Sequence, residues 1–196
     1  MDWPFADMTT LAKQAECFET PAWAADAILR VESLRGTAVD PCCGRGALGD
    51  AVGRAMRNFS LVESDLHNWG RGATGVAFLS DKRVVGQTAG LVWTCFMNPP
   101  FSLATQFVER ALDLGAVKVL AFQRLAWLES KARRPFWDDH PPARIWLCAE
   151  RASCWRIDIP PEERERRGAT PTAHAWFVWE RGHTGTSMHR LYRGAP

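Results

Sequence analysis

Four consecutive residues, Asn98-Pro99-Pro100-Phe101, combine a carboxamide, two ring-locked backbone positions and an aromatic face. They close an apolar run that begins at Leu91, and Ser102 then opens a helical pattern, so the order is strand, rigid turn, helix. Two consecutive prolines fix φ at two positions, and each disfavours the helical region for the residue before it. Asn98 is thereby held extended at a strand end with its carboxamide directed off the sheet edge. A carboxamide oxygen, prolyl carbonyls and an aromatic ring at such a point can grip a planar group that carries an amino nitrogen. Taken alone, the four residues fit an ordinary strand-to-helix turn with a packed phenylalanine equally well.

A second constellation lies upstream. Thr37 to Asp40 is a short strand ending in an acid, Pro41 to Gly46 is a tight turn, and Ala47 to Met56 has helical spacing. Glycines let a backbone approach a ligand, and a helix N-terminus offers unpaired N–H groups. Gly44, Gly46 and Gly49 match the spacing of the dinucleotide fingerprint. Asp40, however, argues against a pyrophosphate close by and suits a cationic ligand group. The next apolar run, Phe59 to Val62, leads into Glu63 and Asp65; spacing allows either at the strand end, and Asp65 before Leu66 sits better there. Ahead of both, Thr20 suits an N-cap and Pro21 a first helical position for the pattern Trp23, Ala27, Ile28, Val31 and Leu34, with Gly36 as its stop.

In combination these segments resemble S-adenosylmethionine-dependent amino-methyltransferases, in particular small phage- and prophage-type DNA adenine N6-methyltransferases. The resemblance rests on Phe18-x-Thr20-Pro21, Asp40-Pro41-x-Cys43-Gly44-x-Gly46-x-Leu48, Ser64-Asp65-Leu66, Asn98-Pro99-Pro100-Phe101 and Trp176-Phe177-Val178-Trp179, and covers roughly residues 18 to 182. It implies a Rossmann-like class I α/β sandwich, with a mostly parallel central sheet and an antiparallel strand near the C-terminus. It implies S-adenosyl-L-methionine as cofactor, held by Thr20, Pro21, Asp40, Pro41, Cys42, Gly44, Gly46, Asp65, Phe78 and Asn98. Asn98, Pro99, Pro100 and Phe101 would be the catalytic group. The Asn98 oxygen and the Pro99 carbonyl would accept hydrogen bonds from an exocyclic amine, and Phe101 would stack on a base flipped out of duplex DNA. Asn-Pro-Pro-Phe resembles the adenine N6 enzymes more than the cytosine N4 enzymes, which carry Ser-Pro-Pro-Tyr. Relatives place an acid before Phe-Leu to contact the cofactor's adenine; this chain has Ala77 there, leaving backbone near Phe78, the Phe78 ring or Asp81 to replace it. Enzymes acting on RNA bases or glutamine side chains share the motif, and a binding module of the same fold without turnover is a further alternative.

The elements that must position these residues alternate between strands and helices, which predicts an α/β sandwich. Ser102 is expected to cap a helix that Gly115 closes. Strands are expected at 116–122, 144–148 and 173–179, with a short basic-ended helix or lid at 124–134 between the first two. Lys131, Arg133 and Arg134 cluster there and are candidates for holding DNA phosphates. Residues 150–172 read as a solvated loop, and the stretch after Gly182 as a hairpin strand or tail. The chain of 196 residues suits one methyltransferase domain over 1–196, with 1–17 irregular and no separate target-recognition segment, which implies relaxed specificity or recognition through a dimer or partner. A net charge of +2 requires any basic footprint to be local. No apolar run approaches the ~20 residues of a membrane span. The N-terminus lacks the basic start and apolar core of a signal peptide. Six cysteines without metal spacing read as reduced thiols in a cytoplasm, with no metal; the resemblance implies a bacterial or phage-infected cell. Of ten tryptophans most should be core, with a few exposed for base stacking.

Overall fold

The computed structural model describes residues 8–88 and 90–194. In chain order the elements are α1 (Met8–Gln14), β1 (Phe18–Glu19), α2 (Ala22–Val31), β2 (Thr37–Asp40), α3 (Ala47–Ala55), β3 (Leu61–Asp65), β4 (Ala73–Thr74), α4 (Lys82–Thr88) and β5 (Trp93–Met97). They continue with α5 (Ala104–Asp113), β6 (Lys118–Arg124), α6 (Arg134–Asp139), β7 (Arg144–Cys148), β8 (Trp155–Arg156), α7 (Pro161–Arg167), β9 (His174–Glu180) and β10 (Ser187–Leu191). Eight strands form one sheet in the order β10-β7-β9-β6-β5-β2-β3-β4, and β1 and β8 form a separate antiparallel pair. Within the large sheet β9 alone runs antiparallel to its neighbours, with Arg124 opposite His174 and Lys118 opposite Glu180.

The parallel strands are apolar on both sides because helices cover both faces. Val39, Cys95, Met97, Ala121 and Phe177 face α4, α5 and α6 through Val84, Phe107, Val108, Ala111 and Phe136. Ala38, Phe96, Leu120, Phe122, Trp176 and Val178 face α2 and α3 through Ala25, Ile28, Leu48 and Val52. All nine described tryptophans are buried or half-buried, so the expectation of exposed ones for base stacking is corrected: their area goes into the core and its rims.

Three segments differ from the sequence reading. Part of the irregular stretch assigned to residues 1–17 forms α1, whose Ala12 packs with Trp69 and Ile157; residues 1–7 lie outside the described residues. The charged loop within 150–172 contains α7, which has no buried residue. Proline at its start, Glu162 and Glu163 in its first turn and Arg164, Arg166 and Arg167 in its last match the helix dipole, a stabilisation invisible to hydrophobic periodicity. After Gly182 the chain forms neither a hairpin with β9 nor a tail. β9 is already paired on both sides, so β10 crosses to the free edge of β7 and runs parallel to it, Ser187 opposite Arg144. No described helix is long and apolar enough to cross a membrane.

Candidate active site

A cavity of about 280 Å³ opens at the C-terminal ends of β2, β3 and β5. This edge is where ligands bind in open α/β sheets. Each strand delivers one polar side chain to its wall: Asp40 ends β2, Asp65 ends β3 and Asn98 follows β5. Thr20, Pro41, Cys42, Gly44, Phe78 and Pro100 line it as well, so nine of the residues singled out from the sequence share one cavity. Pro21, Gly46, Pro99 and Phe101 lie beside it without lining it, and Lys131, Arg133 and Arg134 are not on its wall.

The turn after β2 is shaped by its glycines. Gly44 and Gly46 have φ of 55° and 87°, a region costly for other residues. The Gly44 N–H donates to Asp65 Oδ2 at 3.0 Å, which ties the turn to the neighbouring strand. A side chain at Gly46 would meet Arg71, within 2.8 Å, so this glycine admits Arg71 from behind rather than a ligand from in front. Arg71 in turn pairs with Glu63 at 2.8 Å, which takes Glu63 away from the cavity. Asp65 Oδ1 accepts from the His67 N–H at 2.9 Å and Trp69 Nε1 at 3.2 Å. With three of its roughly four acceptor positions used, Asp65 keeps about one for a ligand.

Asp40 is 1% exposed and accepts from the Cys42 N–H at 3.2 Å, with no ion pair among the described residues. Burial pushes its carboxyl well above the ordinary range; the Cys42 N–H opposes this, and the charges of Glu63 and Asp65 add to it. A buried, uncompensated acid at a cavity wall is a place for a cation. The thiols lining or flanking the turn are inert: burial pushes Cys17 and Cys43 up to about 12. Ala77 and Phe78 both line the cavity, Phe78 resting on Phe107 at 5.3 Å between ring centroids. Asp81 is not on the wall and is paired with Arg83.

The segment before α2 roofs the cavity. Residues Gln14 to Thr20 line it, and three contacts fasten them down. β1 pairs with β8, the Phe18 carbonyl accepts from Asn98 Nδ2 at 2.8 Å, and the Glu16 carboxylate accepts from the Ser102 N–H at 2.8 Å and its hydroxyl at 2.6 Å. Neither of two expected caps is formed. Thr20 does not cap α2; Pro21 holds the cap position without a side-chain bond, and Thr20 is 4% exposed at the cavity wall. Ser102 does not cap α5, where Leu103 holds that position, because the Glu16 carboxylate is the stronger partner. Gly36 does not stop α2, which ends at Val31; its φ of 64° instead lets the backbone pass the Val92 carbonyl, which a side chain would meet at 1.8 Å.

At the motif itself, the bond to Phe18 assigns the Asn98 amide: its nitrogen points to the roof, leaving Oδ1 to accept. The Pro99 carbonyl accepts from Gln123 Nε2 at 3.0 Å in a buried position. Gln123→Leu keeps the volume but strands that carbonyl, and should lower stability by about 1–3 kcal/mol in urea denaturation. Phe101 packs on Phe18 at 5.2 Å, and the Arg124 guanidinium lies 4.1 Å from the Phe101 ring centroid. Opposite Arg124, His174 is buried, stacked on Phe122 at 5.2 Å, with no hydrogen-bond partner for Nδ1 among the described residues. Burial foremost, then Arg124 and Arg151, lowers its pKa to about 4, so it is neutral at pH 7. Gln123, Arg124 and His174 carry no local motif; the parallel pairing of β5 with β6 sets Gln123 and Arg124 beside the motif, and the antiparallel register of β6 and β9 sets His174 opposite Arg124.

Of the basic cluster, Arg133 donates to the carbonyls of Trp127 at 2.9 Å and Glu129 at 2.7 Å, so its donors close its own turn. Arg134 pairs with Asp138 at 3.2 Å on the surface, and Lys131 is exposed in the turn Lys131–Arg133. Among the described residues no group of three or more His, Cys, Asp or Glu could hold a metal ion.

No protein-family model matches the sequence, and no curated protein matches it. Solved structures do. A chain described as a modification subunit of a type I restriction enzyme from Vibrio vulnificus YJ016 aligns with a TM-score of 0.56 at 13% identity, over 96% of this chain and 52% of that one. This chain thus spans about half the length of that protein. A predicted O-methyltransferase from Agrobacterium tumefaciens gives a TM-score of 0.53 at 12% identity, over 87% of this chain and 85% of the other. The plantazolicin methyltransferase BpumL in complex with SAH gives 0.50 at 10% identity, over 90% and 92%. Identities this low carry the architecture alone, and with the strand order and the single antiparallel strand they show that the chain has the Rossmann-like fold of the class I methyltransferases.

Proposed function

We propose that this chain transfers the methyl group of S-adenosylmethionine to an exocyclic amino nitrogen of a nucleobase, adenine N6 in DNA. One observation carries the reading: Asn98, held by two prolines and oriented through the Phe18 carbonyl, stands at the wall of a cavity whose other strand-end residues are acids. The cavity fits the cofactor chemically. Asp40, buried and without a counter-ion, suits its ammonium; Asp65 keeps an acceptor for its ribose; Ala77, Phe78 and Phe107 offer an apolar wall for its adenine. Bound there, S-adenosylmethionine supplies an electrophilic methyl on a sulfonium. The chain's own groups do the rest. Asn98 Oδ1 and the Pro99 carbonyl, which retains one lone pair beside Gln123, accept from the two amine N–H groups, help the nitrogen become tetrahedral and stabilise the charge it gains. No base need act before attack, because the proton leaves after transfer.

A likeness to a restriction-modification subunit and to a SAH-bound methyltransferase supports the substrate class and the cofactor. The test is label transfer from methyl-labelled S-adenosylmethionine, in parallel, to unmethylated genomic DNA, total RNA and cell protein. Label in DNA is the expected result. Label in RNA or protein alone would replace the substrate, and cofactor binding without transfer would leave a binding module.

Asp40 gives a second test with a worked sign. Its folded-state pKa is raised, so the folded protein binds the proton more tightly than the unfolded chain, and stability falls as pH rises from the ordinary carboxyl range through the folded value. At neutral pH Asp40 therefore costs stability. Asp40→Asn keeps an acceptor for Cys42, and should raise Tm by about 2–4 °C per kcal/mol relieved. It should also weaken S-adenosylhomocysteine about thirty-fold or more in calorimetry, the loss expected when one partner of a buried charge pair is removed. A variant that is both less stable and equally tight would contradict the assignment.

A further inference from the structure

Arg124 ends β6, is exposed, and makes no ion pair or hydrogen bond among the described residues. Its guanidinium instead lies over Phe101, 4.1 Å from the ring centroid and 5.9 Å from that of Phe18. A guanidinium over the ring occupies the face on which a base would stack. The preceding residue, Gln123, holds the Pro99 carbonyl, so consecutive residues of one strand end address both the carbonyl and the ring of the motif. From the proposed nucleobase methylation, we infer that Arg124 is a substrate-binding residue that covers the base-stacking face of Phe101 in the free protein. The entering base displaces it and the freed guanidinium then meets a nucleic-acid phosphate.

The placement explains why the surface charge is local. With Arg133 committed to its own turn and Arg134 to Asp138, Arg124 is an unpaired cation already at the motif. Guanidinium suits both states: it stacks on aromatic faces and binds phosphate through a planar fork. Its neighbour His174 is neutral at pH 7, so it adds no positive charge beside the guanidinium.

The two halves of this assignment predict opposite effects of one substitution. Deoxyadenosine carries no phosphate, so removing the cover should tighten it. Arg124→Ala should bind deoxyadenosine, with S-adenosylhomocysteine present, about two- to five-fold more tightly than wild type, the equivalent of an exposed cation–π contact. The same variant should bind a 20-mer single-stranded DNA more weakly, with the slope of log affinity against log salt reduced by about 0.7, one phosphate on a single strand. Arg124→Lys should restore that slope. A merely structural role would weaken both ligands together and leave the slope alone. Unchanged or weaker deoxyadenosine binding by Arg124→Ala, in a protein whose wild type labels DNA, would overturn the cover and leave the function standing. Wild-type label found in protein alone would overturn the nucleobase reading, and this inference with it.

Discussion

Asn98→Ala is expected to lower kcat for methyl transfer by about 10²–10³, the effect of deleting one preorganised group that meets developing charge. In this chain the carboxamide has two separable duties. Its oxygen faces the cavity and its nitrogen donates to the Phe18 carbonyl, which anchors the roof over the cofactor cavity. Alanine removes both. Asn98→Asp keeps an oxygen toward the cavity but replaces the anchoring bond to Phe18 by a repulsion between acceptors. Transfer rates should then fall from wild type to Asn98→Asp and fall again to Asn98→Ala. Amide hydrogen exchange at Phe18 to Thr20 should rise in both variants alike. Equal rates for the two variants would mean that the oxygen has no part in transfer.

Glu32→Ala should produce the largest loss of stability, about 3–5 kcal/mol, because it leaves the buried Lys118 ammonium without its ion-pair partner and takes one of two from Arg144. Glu32 follows α2 at the sheet edge opposite the cavity, 4% exposed. Lys118, 3% exposed, approaches it at 2.6 Å, Arg144 Nη2 at 2.9 Å and Trp146 Nε1 at 2.7 Å, while Arg144 also pairs with Glu180. Burial by itself would raise the carboxyl pKa; the donors of Arg144, Lys118 and Trp146 outweigh it and hold the value below the ordinary range. With a folded pKa below the unfolded one, the stabilisation is present above the unfolded value and is lost as pH falls through the folded one. Urea midpoints at pH 7 should fall in the variant, and the gap to wild type should narrow on acidification below the carboxyl range. A constant gap down to low pH would contradict this account of the network.

What could be read from the sequence was what depends on local chemistry. The proline pair, the glycine turn after Asp40 and the acid after β3 are each set by neighbours within a few residues, and the strand ends they mark do converge on one cavity. The antiparallel β9 was expected from the resemblance; its register was not. The roof was not legible ahead of Phe18: Glu16 and Ser102 are far apart in sequence, and no local signal joins them. The same holds for Gln123, Arg124 and His174, whose proximity to the motif is a property of sheet order. Periodicity also failed for α7, which has no apolar face, and local cap signals failed at Thr20, where Pro21 holds the cap position, and at Ser102, where the distant Glu16 carboxylate prevails over the local partner.

The most direct measurement of the central claim is the chemical identity of the product. Unmethylated DNA is incubated with the protein and labelled S-adenosylmethionine, digested to nucleosides and separated by chromatography. Acceptance of two amine hydrogens by Asn98 Oδ1 and the Pro99 carbonyl predicts label in N6-methyldeoxyadenosine, lost with Asn98→Ala. Label in 5-methyldeoxycytidine, where the methyl is on carbon and no amine is held, would contradict it.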